Sequence, residues 1–211
     1  MAKLKLQISV SLDGYLTGPN PGEEHPLGEG GEALHEWAFK LAAWREPHGR
    51  EGGEVNPSTE VFEDATENVG AVIMGRGMFG GSGPWGEDPW QGWWGDEPPF
   101  KVPVFVLTHH EREPLVKGET TFHFITDGIE AVLEQAKEAA SGKDVALAGG
   151  ADVIQQYLAA GEIDEMWINI APLLLGGGTR LLGNVGPEIK LEQVRAIEGP
   201  DAAHLKYRAT G

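Results

Sequence analysis

The chain has 211 residues and a formal net charge of −17, which disfavours nucleic acids and anionic membranes as partners. Hydrophobic residues make up 40% of it, enough for a core, and the absence of cysteine excludes disulfides, thiolate catalysis and cysteine-ligated metals. No segment resembles a signal peptide or reaches the length of a membrane span. We therefore expect a cytoplasmic α/β protein of one domain, with neither a nucleic-acid nor a membrane partner.

The first predicted element is a strand over residues 3–11. Apolar and polar residues alternate along it, which predicts one buried face. That face consists of Leu4, Leu6, Ile8 and Val10. The strand stops at the turn pair Asp13-Gly14, and a loop rich in Gly, Pro and Asn follows over residues 17–31.

Four helices are predicted, over residues 32–46, 57–68, 128–141 and 151–160. The first carries an apolar stripe at three- and four-residue spacing, formed by Leu34, Trp37, Leu41 and Trp44. Asn56 and Pro57 match the N-cap and the first helical position of the second helix. We expect Asp127 to cap the third helix with Glu130 as its capping-box partner, and Gly161 to end the fourth.

Further strands are predicted at residues 69–74, 102–107, 121–125, 144–148 and 163–170, before a closing strand pair at 192–198 and 203–209. Strands alternate with helices up to about residue 170, and the chain then finishes with strands. This order predicts an α/β fold whose central sheet is mostly parallel, with antiparallel C-terminal strands.

Three of the predicted strands end in small or polar residues that could bind a ligand. These strand ends are MGR at 74–76, LTHH at 107–110 and AGGAD at 148–152. In open α/β sheets, ligands bind beyond the carboxyl ends of the strands. Gly149-Gly150 leads into a helix N-terminus, where free amides attract anions, although a plain turn is the alternative.

The polar side chains at these strand ends have competing interpretations. Arg76 could clamp a phosphate, or it could form a surface salt bridge in a chain with 33 acidic residues. Thr108, His109 and His110 could contact a phosphate or an adenine, or could simply be solvated. A metal site is not expected, because adjacent side chains on an extended segment point apart. The sequence contains no dinucleotide-binding glycine fingerprint, Walker A sequence or nucleophile elbow.

The segment GPWGEDPWQGWWGDEPPF, residues 83–100, holds four of the seven tryptophans. Because it follows Gly75-Arg76 closely, it could form a wall or lid of the predicted site. It could equally form a dimer interface or a local core. A non-catalytic module that grips a small molecule or a partner through these rings is the alternative to an enzyme.

Four stretches resemble a known family: SVSLDGYLTGP at 9–19, VIMGRGMF at 72–79, VFVLTHH at 104–110, and the long block at 145–182 that begins VALAGGADV. They are similar to the dihydrofolate-reductase-like fold, and most of all to the C-terminal reductase domain of the riboflavin-biosynthesis deaminase/reductase. The segments near 17–57 and 80–100 are insertions relative to that pattern. The resemblance implies a three-layer fold, NADPH as cofactor, a homodimer, and hydride transfer to a small heterocyclic, carbonyl or imine substrate.

The resemblance also implies roles for individual residues. Cofactor contacts would come from Gly14, Gly75, Arg76, Met78, Phe79, Thr108, His109, His110, Gly149, Gly150, Ala151 and Val153, with a Gly149–Gly150 bond that is often cis in the family. Asp13 would donate a proton, with a bound water as the alternative donor and a loop-capping role as the alternative for Asp13. The resemblance does not cover the tryptophan segment, but the position of that segment near Arg76 makes Trp85 and Trp90 expected substrate contacts, and Trp37 is the third expected contact.

Two motifs of the riboflavin branch are not found in this sequence. They are a Ser-x-Trp-Ile-Thr type segment and an Ala-Asp-Asp-Pro type loop, which serves the sugar-phosphate substrate. A reduction of the 5-amino-6-(5-phosphoribosylamino)uracil type is therefore expected as a reaction class, and the substrate itself stays open.

Overall fold

The computed structural model describes residues 2–22, 25–81 and 83–210. Its strands are β1 (Leu4–Ser11), β2 (Tyr15–Thr17), β3 (Val69–Gly75), β4 (Val104–Leu107), β5 (Leu115–Lys117), β6 (Thr120–Ile125), β7 (Asp144–Gly149), β8 (Glu165–Ala171), β9 (Thr179–Arg180), β10 (Leu191–Glu198) and β11 (Ala203–Ala209). Its α-helices are α1 (Glu36–Phe39), α2 (Ala42–Arg45), α3 (Pro57–Thr66), α4 (Arg76–Phe79), α5 (Ile129–Ala139) and α6 (Ala151–Ala159). Short 3₁₀ helices cover Gly31–His35 and Glu46–His48.

A nine-stranded sheet organises the described residues, in the order β10-β11-β8-β1-β7-β3-β4-β6-β5. The six strands from β8 to β6 run parallel, whereas β11, β10 and β5 are antiparallel to their neighbours. This arrangement confirms the predicted fold class. Strands β2 and β9 pair separately.

Helices cover both faces of this sheet. On one face, α5 and α6 bury apolar residues of β1, β3 and β7 in the main core, which includes Leu6, Ile73 and Leu147. On the other face, α3 packs Val61 and Ala65 against Trp167 of β8. Among the described residues, no helix combines the length and the apolar character that crossing a membrane requires.

Strand β1 is confirmed, but its polar face is not exposed. Ser9 and Ser11 are only 2% and 1% exposed. The Ser9 hydroxyl accepts a hydrogen bond from the indole nitrogen of Trp37 at 3.0 Å, and the Ser11 hydroxyl accepts one from the backbone of Tyr15 at 3.0 Å. A central parallel strand is covered on both faces of the sheet. The alternating residues therefore distinguished a polar side of β1 from an apolar side, but they did not predict that one side would be exposed to solvent.

The predicted helix over residues 32–46 is wrong as a continuous helix. The segment forms a 3₁₀ helix, then α1, then α2, and Leu41 between them has an extended backbone with φ −72° and ψ 137°. The chain opens at this point because Lys40 and Ala42 exchange backbone hydrogen bonds with Glu54. The apolar spacing did identify buried residues, since Leu34, Trp37 and Leu41 are all in the interior.

Capping was predicted well for one helix and badly for another. The Asn56 side chain accepts from the backbone of Ser58, and Thr59 completes a capping box at the start of α3. Asp127 does not cap α5, because the chain enters this helix through Gly128 at φ 89°, with no capping hydrogen bond from a side chain. The predicted stop at Gly161 agrees with its left-handed conformation, φ 71°.

Candidate functional site

Three predicted motifs meet at one edge of the sheet. Strands β7, β3 and β4 are neighbours and run parallel, with Met74 opposite Gly149 and Gly75 opposite Leu107. Their carboxyl ends therefore place Gly149-Gly150, Gly75-Arg76 and Thr108 side by side. The end of β1, followed by Asp13-Gly14, lies on the other side of β7. This is the edge at which ligands bind in open α/β sheets.

Small residues make a close-packed junction at the centre of this edge. A Cβ added to Gly75 would lie 2.7 Å from Cγ2 of Val153 and within 3.7 Å of the Gly149 carbonyl oxygen. Gly149 has φ 132°, and the Gly149–Gly150 peptide bond is cis. Helix α6 starts directly after it, and no side chain among the described residues caps its first turn. Its first amides are therefore available to an anion.

Replacing Gly75 by Ala tests this junction. The backbone of Gly75, φ −82° and ψ 158°, suits alanine, so the cost comes from the contact with Val153 alone. We expect the free energy of unfolding to fall by about 1–3 kcal/mol, as for other overpacked sites. Urea denaturation measures this, with Gly77→Ala as the matched control because a Cβ at Gly77 meets nothing within 4 Å. Equal stability of the two variants would contradict the packing argument.

Arg76 opens α4, and its guanidinium is largely enclosed. Its Cζ lies 3.6 Å from the centre of the Trp85 ring. Nε and Nη1 are buried and have no hydrogen-bond partner among the described residues. Burial lowers the pKa of Arg76, and the nearby charge of Arg112 lowers it further. The surface salt bridge considered for Arg76 is not among the ion pairs of the described residues.

The turn after β4 is partly occupied by its own hydrogen bonds. The Thr108 hydroxyl accepts from the backbone of His110 at 3.2 Å, and the His110 carbonyl accepts from the Trp85 indole nitrogen at 2.9 Å. His109 is exposed. Across residues 2–22, 25–81 and 83–210, no three His, Asp or Glu side chains form a group that could hold a metal ion.

The other apolar residues predicted to contact the cofactor are mostly inside. Phe79 is 0% exposed and lies in a cluster with Phe122 and Phe124. Ala151 and Val153 are buried, and Met78 is half-buried. Their predicted roles are untested, and this burial leaves the backbone, more than the side chains, available for contact.

The Asp13 carboxylate is fixed to a neighbouring loop. It accepts hydrogen bonds from the backbone nitrogens of Leu175 at 3.2 Å and Gly176 at 2.8 Å. A hydrogen bond from Ser11, with these two, lowers the pKa of Asp13 to about 2. An ionised carboxylate carries no proton at neutral pH, so the geometry supports the loop-capping alternative. Proton donation by Asp13 stays a prediction.

The tryptophans differ in where they lie. Trp37 is 4% exposed and packs edge-on against His204, so its surroundings are those of a core residue. Trp90 and Trp93 donate their indole N–H groups to the carbonyls of Phe79 and Met78, at the end of α4. Of the three tryptophans predicted to bind substrate, Trp85 is the one stacked on Arg76.

Two features of the structure were missed in the sequence. Arg112, in the loop after β4, lies over the same Trp85 ring as Arg76, with its Cζ 4.6 Å from the ring centre. His204, in β11, is fully buried in a polar cluster with Ser58 and Asn169. Both features depend on contacts between residues that are distant in the chain. For Arg112, the basic side chain close to Thr108-His109-His110 was a possible signal in the sequence, whereas His204 had none.

The chain also resembles proteins of known sequence and structure. YyaP of Bacillus subtilis (strain 168), an uncharacterized protein, is 27% identical over 197 residues, which cover 91% of this chain and 86% of the relative. A putative riboflavin biosynthesis protein from Shewanella sp. PV-4 superposes with a TM-score of 0.65 at 21% identity, over the whole of both chains. Dihydrofolate reductase from Enterococcus faecalis, in a complex with NADP(H), superposes with a TM-score of 0.54 at 12% identity, over 99% of this chain and 97% of that one.

At these identities, the two structural likenesses establish the dihydrofolate-reductase-like fold. The family assignment comes from the sequence, because the sequence model of the RibD C-terminal domain family matches residues 2–204, nearly the full length of the chain. The riboflavin-branch resemblance of the strand-end motifs is thereby confirmed. This chain belongs to the RibD C-terminal domain family.

Proposed function

We propose that this chain is an NADPH-dependent reductase that transfers a hydride to a small heterocyclic, carbonyl or imine substrate. The observation that carries the proposal is the edge formed by β7, β3 and β4. It combines the uncapped start of α6 at Gly150 with an arginine, Arg76, that no carboxylate among the described residues pairs. In a chain of net charge −17, anion-binding groups brought together at this edge favour an anionic ligand there against the overall charge.

Two properties of the residues fit the proposed cofactor. Nε and Nη1 of Arg76 are buried donors without partners among the described residues, as expected where an anion completes the hydrogen bonding. Gly150 leaves the backbone open to close approach by a diphosphate, because a Cβ at this position would meet nothing within 4 Å. When bound, the cofactor would supply the hydride. The chain itself would orient it, exclude water and position the substrate next to the Ser11–Gly14 turn.

The proton for the reduced substrate must come from another group. With its pKa near 2, Asp13 is ionised at neutral pH, and a bound water, the alternative considered from the sequence, fits this state better. Within this substrate class, we propose more specifically that the substrate is of the 5-amino-6-(5-phosphoribosylamino)uracil type. Rescue of a strain lacking that reductase tests it, and failure with folded protein would favour another substrate.

Replacing Arg76 by Gln is the experiment that tests the reductase. We expect NADPH to quench the tryptophan fluorescence of the unaltered protein at sub-millimolar concentration, and Arg76→Gln to weaken binding by about 10–100-fold, as loss of a charged hydrogen-bonding partner does. Arg50→Gln is the matched control, because Arg50 also lies over a tryptophan ring, that of Trp44 at 5.3 Å. Unaltered protein that does not bind NADPH would rule the proposal out.

The non-catalytic alternative has less support. A module that binds ligands through aromatic side chains needs rings and indole N–H groups that face outward. In this chain, the indole N–H groups of Trp85, Trp90 and Trp93 donate to backbone carbonyls within the chain. A module of that kind would also bind its ligand independently of Arg76, so the Arg76→Gln variant separates the two functions.

We also propose that the protein forms a homodimer in the cytoplasm, as the family resemblance implies. An apolar groove of about 560 Å³ lies on the sheet next to its antiparallel edge and is lined by Ile168, Ile170, Leu205, Tyr207, Leu181 and Leu182, among others. Leu182 and Leu191, which both line this groove, are exposed large apolar residues. A second copy would cover this surface, and a monomeric mass in light scattering at micromolar concentration would contradict it.

A further inference from the structure

Gln155 is a polar side chain on the buried side of α6. It is 7% exposed, whereas its neighbour Gln156 is exposed. Its side-chain nitrogen Nε2 donates to two consecutive backbone carbonyls, those of Arg180 at 3.1 Å and Leu181 at 2.9 Å. Because buried polar groups need hydrogen-bond partners, this amide has a defined position and fixes α6 to the segment that contains the two carbonyls.

The segment held by this amide is itself bonded to the turn that follows β1. The backbone nitrogen of Leu181 donates to the Gly14 carbonyl at 3.2 Å. Nη1 of Arg180 donates to the Asp13 carbonyl at 3.1 Å. Each carbonyl that Gln155 binds therefore belongs to a residue that is hydrogen-bonded directly to the turn.

Helix α6 begins where the cofactor is proposed to bind. Its first residue, Ala151, follows Gly150, and Gln155 lies one helical turn further on, about 6 Å along the helix axis. The substrate is proposed to lie next to the Ser11–Gly14 turn. Gln155 thus joins the helix that would bind the diphosphate to the turn that would face the substrate.

We propose that Gln155 is a positioning residue, whose side-chain amide fixes the Ser11–Gly14 turn relative to the start of α6 and so aligns the nicotinamide of a bound cofactor with the substrate. This inference rests on the proposed reductase function. Reacting atoms must be held about 3–3.5 Å apart, and a displacement of about 1 Å can cost about 100-fold in rate. Two hydrogen bonds from a buried amide restrict such displacement, and Gln155 itself would take no part in the transfer.

Gln155→Met in the full chain tests this inference. Methionine keeps the length of the side chain and removes the N–H donors, and Gln156→Met is the matched control at the exposed neighbouring position. We expect both variants to bind NADPH with the affinity of the unaltered protein, because Arg76 and the start of α6 are unchanged. The emission of the bound nicotinamide, which rises when the ring is held away from water, should fall to near that of free NADPH in Gln155→Met alone.

Gln155→Glu adds a reversible test, which also decides the question if the methionine variant has lost its near-ultraviolet circular dichroism. A protonated carboxyl has the shape of the amide and can donate to one of the two carbonyls, whereas an ionised carboxylate can donate to neither. Relative to the unaltered protein at the same pH, the nicotinamide emission should be close to normal at about pH 6 and be lost towards about pH 8, since burial favours the protonated form. The charge of Arg180 can shift the midpoint of this change but cannot supply the missing donor.

The outcomes separate this inference from the proposed function. Equal nicotinamide emission in Gln155→Met and the unaltered protein, with NADPH bound to both, would reject the positioning role and leave the reductase standing. Weaker NADPH binding by Gln155→Met, or emission of Gln155→Glu that follows the unaltered protein at every pH, would assign Gln155 to the packing of α6 and also overturn the inference. If the unaltered protein does not bind NADPH, the proposed function fails and the inference fails with it.

Discussion

Lowering the pH from 6.5 to 4 is expected to reduce the free energy of unfolding by about 3 kcal/mol through His204 alone, since one pKa unit corresponds to about 1.36 kcal/mol. Burial lowers the pKa of His204 from 6.5 to about 4. Because the folded-state pKa is depressed, the unfolded chain takes up the proton first, and stability is lost as the pH falls through this window. Well above pH 6.5 the side chain is neutral in both states and has no such effect.

The hydrogen bonds of His204 explain why it resists protonation. Its Nδ1 donates to the Asn169 side-chain oxygen at 2.7 Å, and its Nε2 accepts from the Ser58 hydroxyl at 2.9 Å, so the neutral ring is fully used. The ring is 0% exposed, and Trp37 packs against it. No carboxylate is among these contacts to favour the charged form.

Chemical denaturation at pH 7 and pH 4 checks this expectation. His204→Gln can still donate and accept in the cluster but cannot be protonated, so its stability should depend less steeply on pH than that of the unaltered protein, by up to about 3 kcal/mol over the window. His109→Gln is the control, because His109 is exposed. Parallel stability curves for His204→Gln and the unaltered protein would show that His204 is not the cause.

Local sequence signals succeeded where local interactions decide the structure. The start of α3 needs only Asn56, Pro57, Ser58 and Thr59, which are adjacent in the chain, and the cap was predicted at the correct residue. The interruption at Leu41 needs Glu54, thirteen residues further on, so no window of helical spacing could contain it. The apolar spacing therefore identified the buried residues correctly but did not reveal the break, because buried positions recur in a broken helix as they do in a continuous one.

The candidate site divides in the same way. The three strand ends could be expected to meet, because β7, β3 and β4 are parallel and ligands bind at their carboxyl ends. Arg112 could not be placed, because its position over Trp85 depends on how a long loop folds back on the sheet. Composition could not show whether the tryptophan segment lines a pocket or fills a core.

The structure favours a local core for most of that segment. Trp94 packs against Phe100 and Phe122, while Trp90 and Trp93 satisfy carbonyls at the end of α4. A four-residue helix is too short to be stable by itself, so these contacts hold Arg76 at its start in position. The tryptophan segment thus supports the proposed site through packing, and this role does not require each of its rings to contact a ligand.

Removing the Phe79 ring should therefore have the largest effect on folding of any substitution considered for this protein. Phe79 is 0% exposed, and its ring centre lies 5.2 Å from that of Phe124, 5.3 Å from that of Phe122 and 5.9 Å from that of Trp85. Phe79→Ala leaves a cavity among these rings, and the free energy of unfolding should fall by about 3–5 kcal/mol.

Comparison with Phe39→Ala makes this expectation specific. Phe39 is 36% exposed and packs against Trp44, so its loss should cost no more than about 1–2 kcal/mol, because less apolar surface leaves the interior. Phe79→Leu, which keeps most of the volume, separates packing from the predicted cofactor contact. If Phe79 acts through packing, the leucine variant binds NADPH like the unaltered protein. A stable leucine variant that binds NADPH tenfold more weakly would instead support direct contact between this ring and the cofactor.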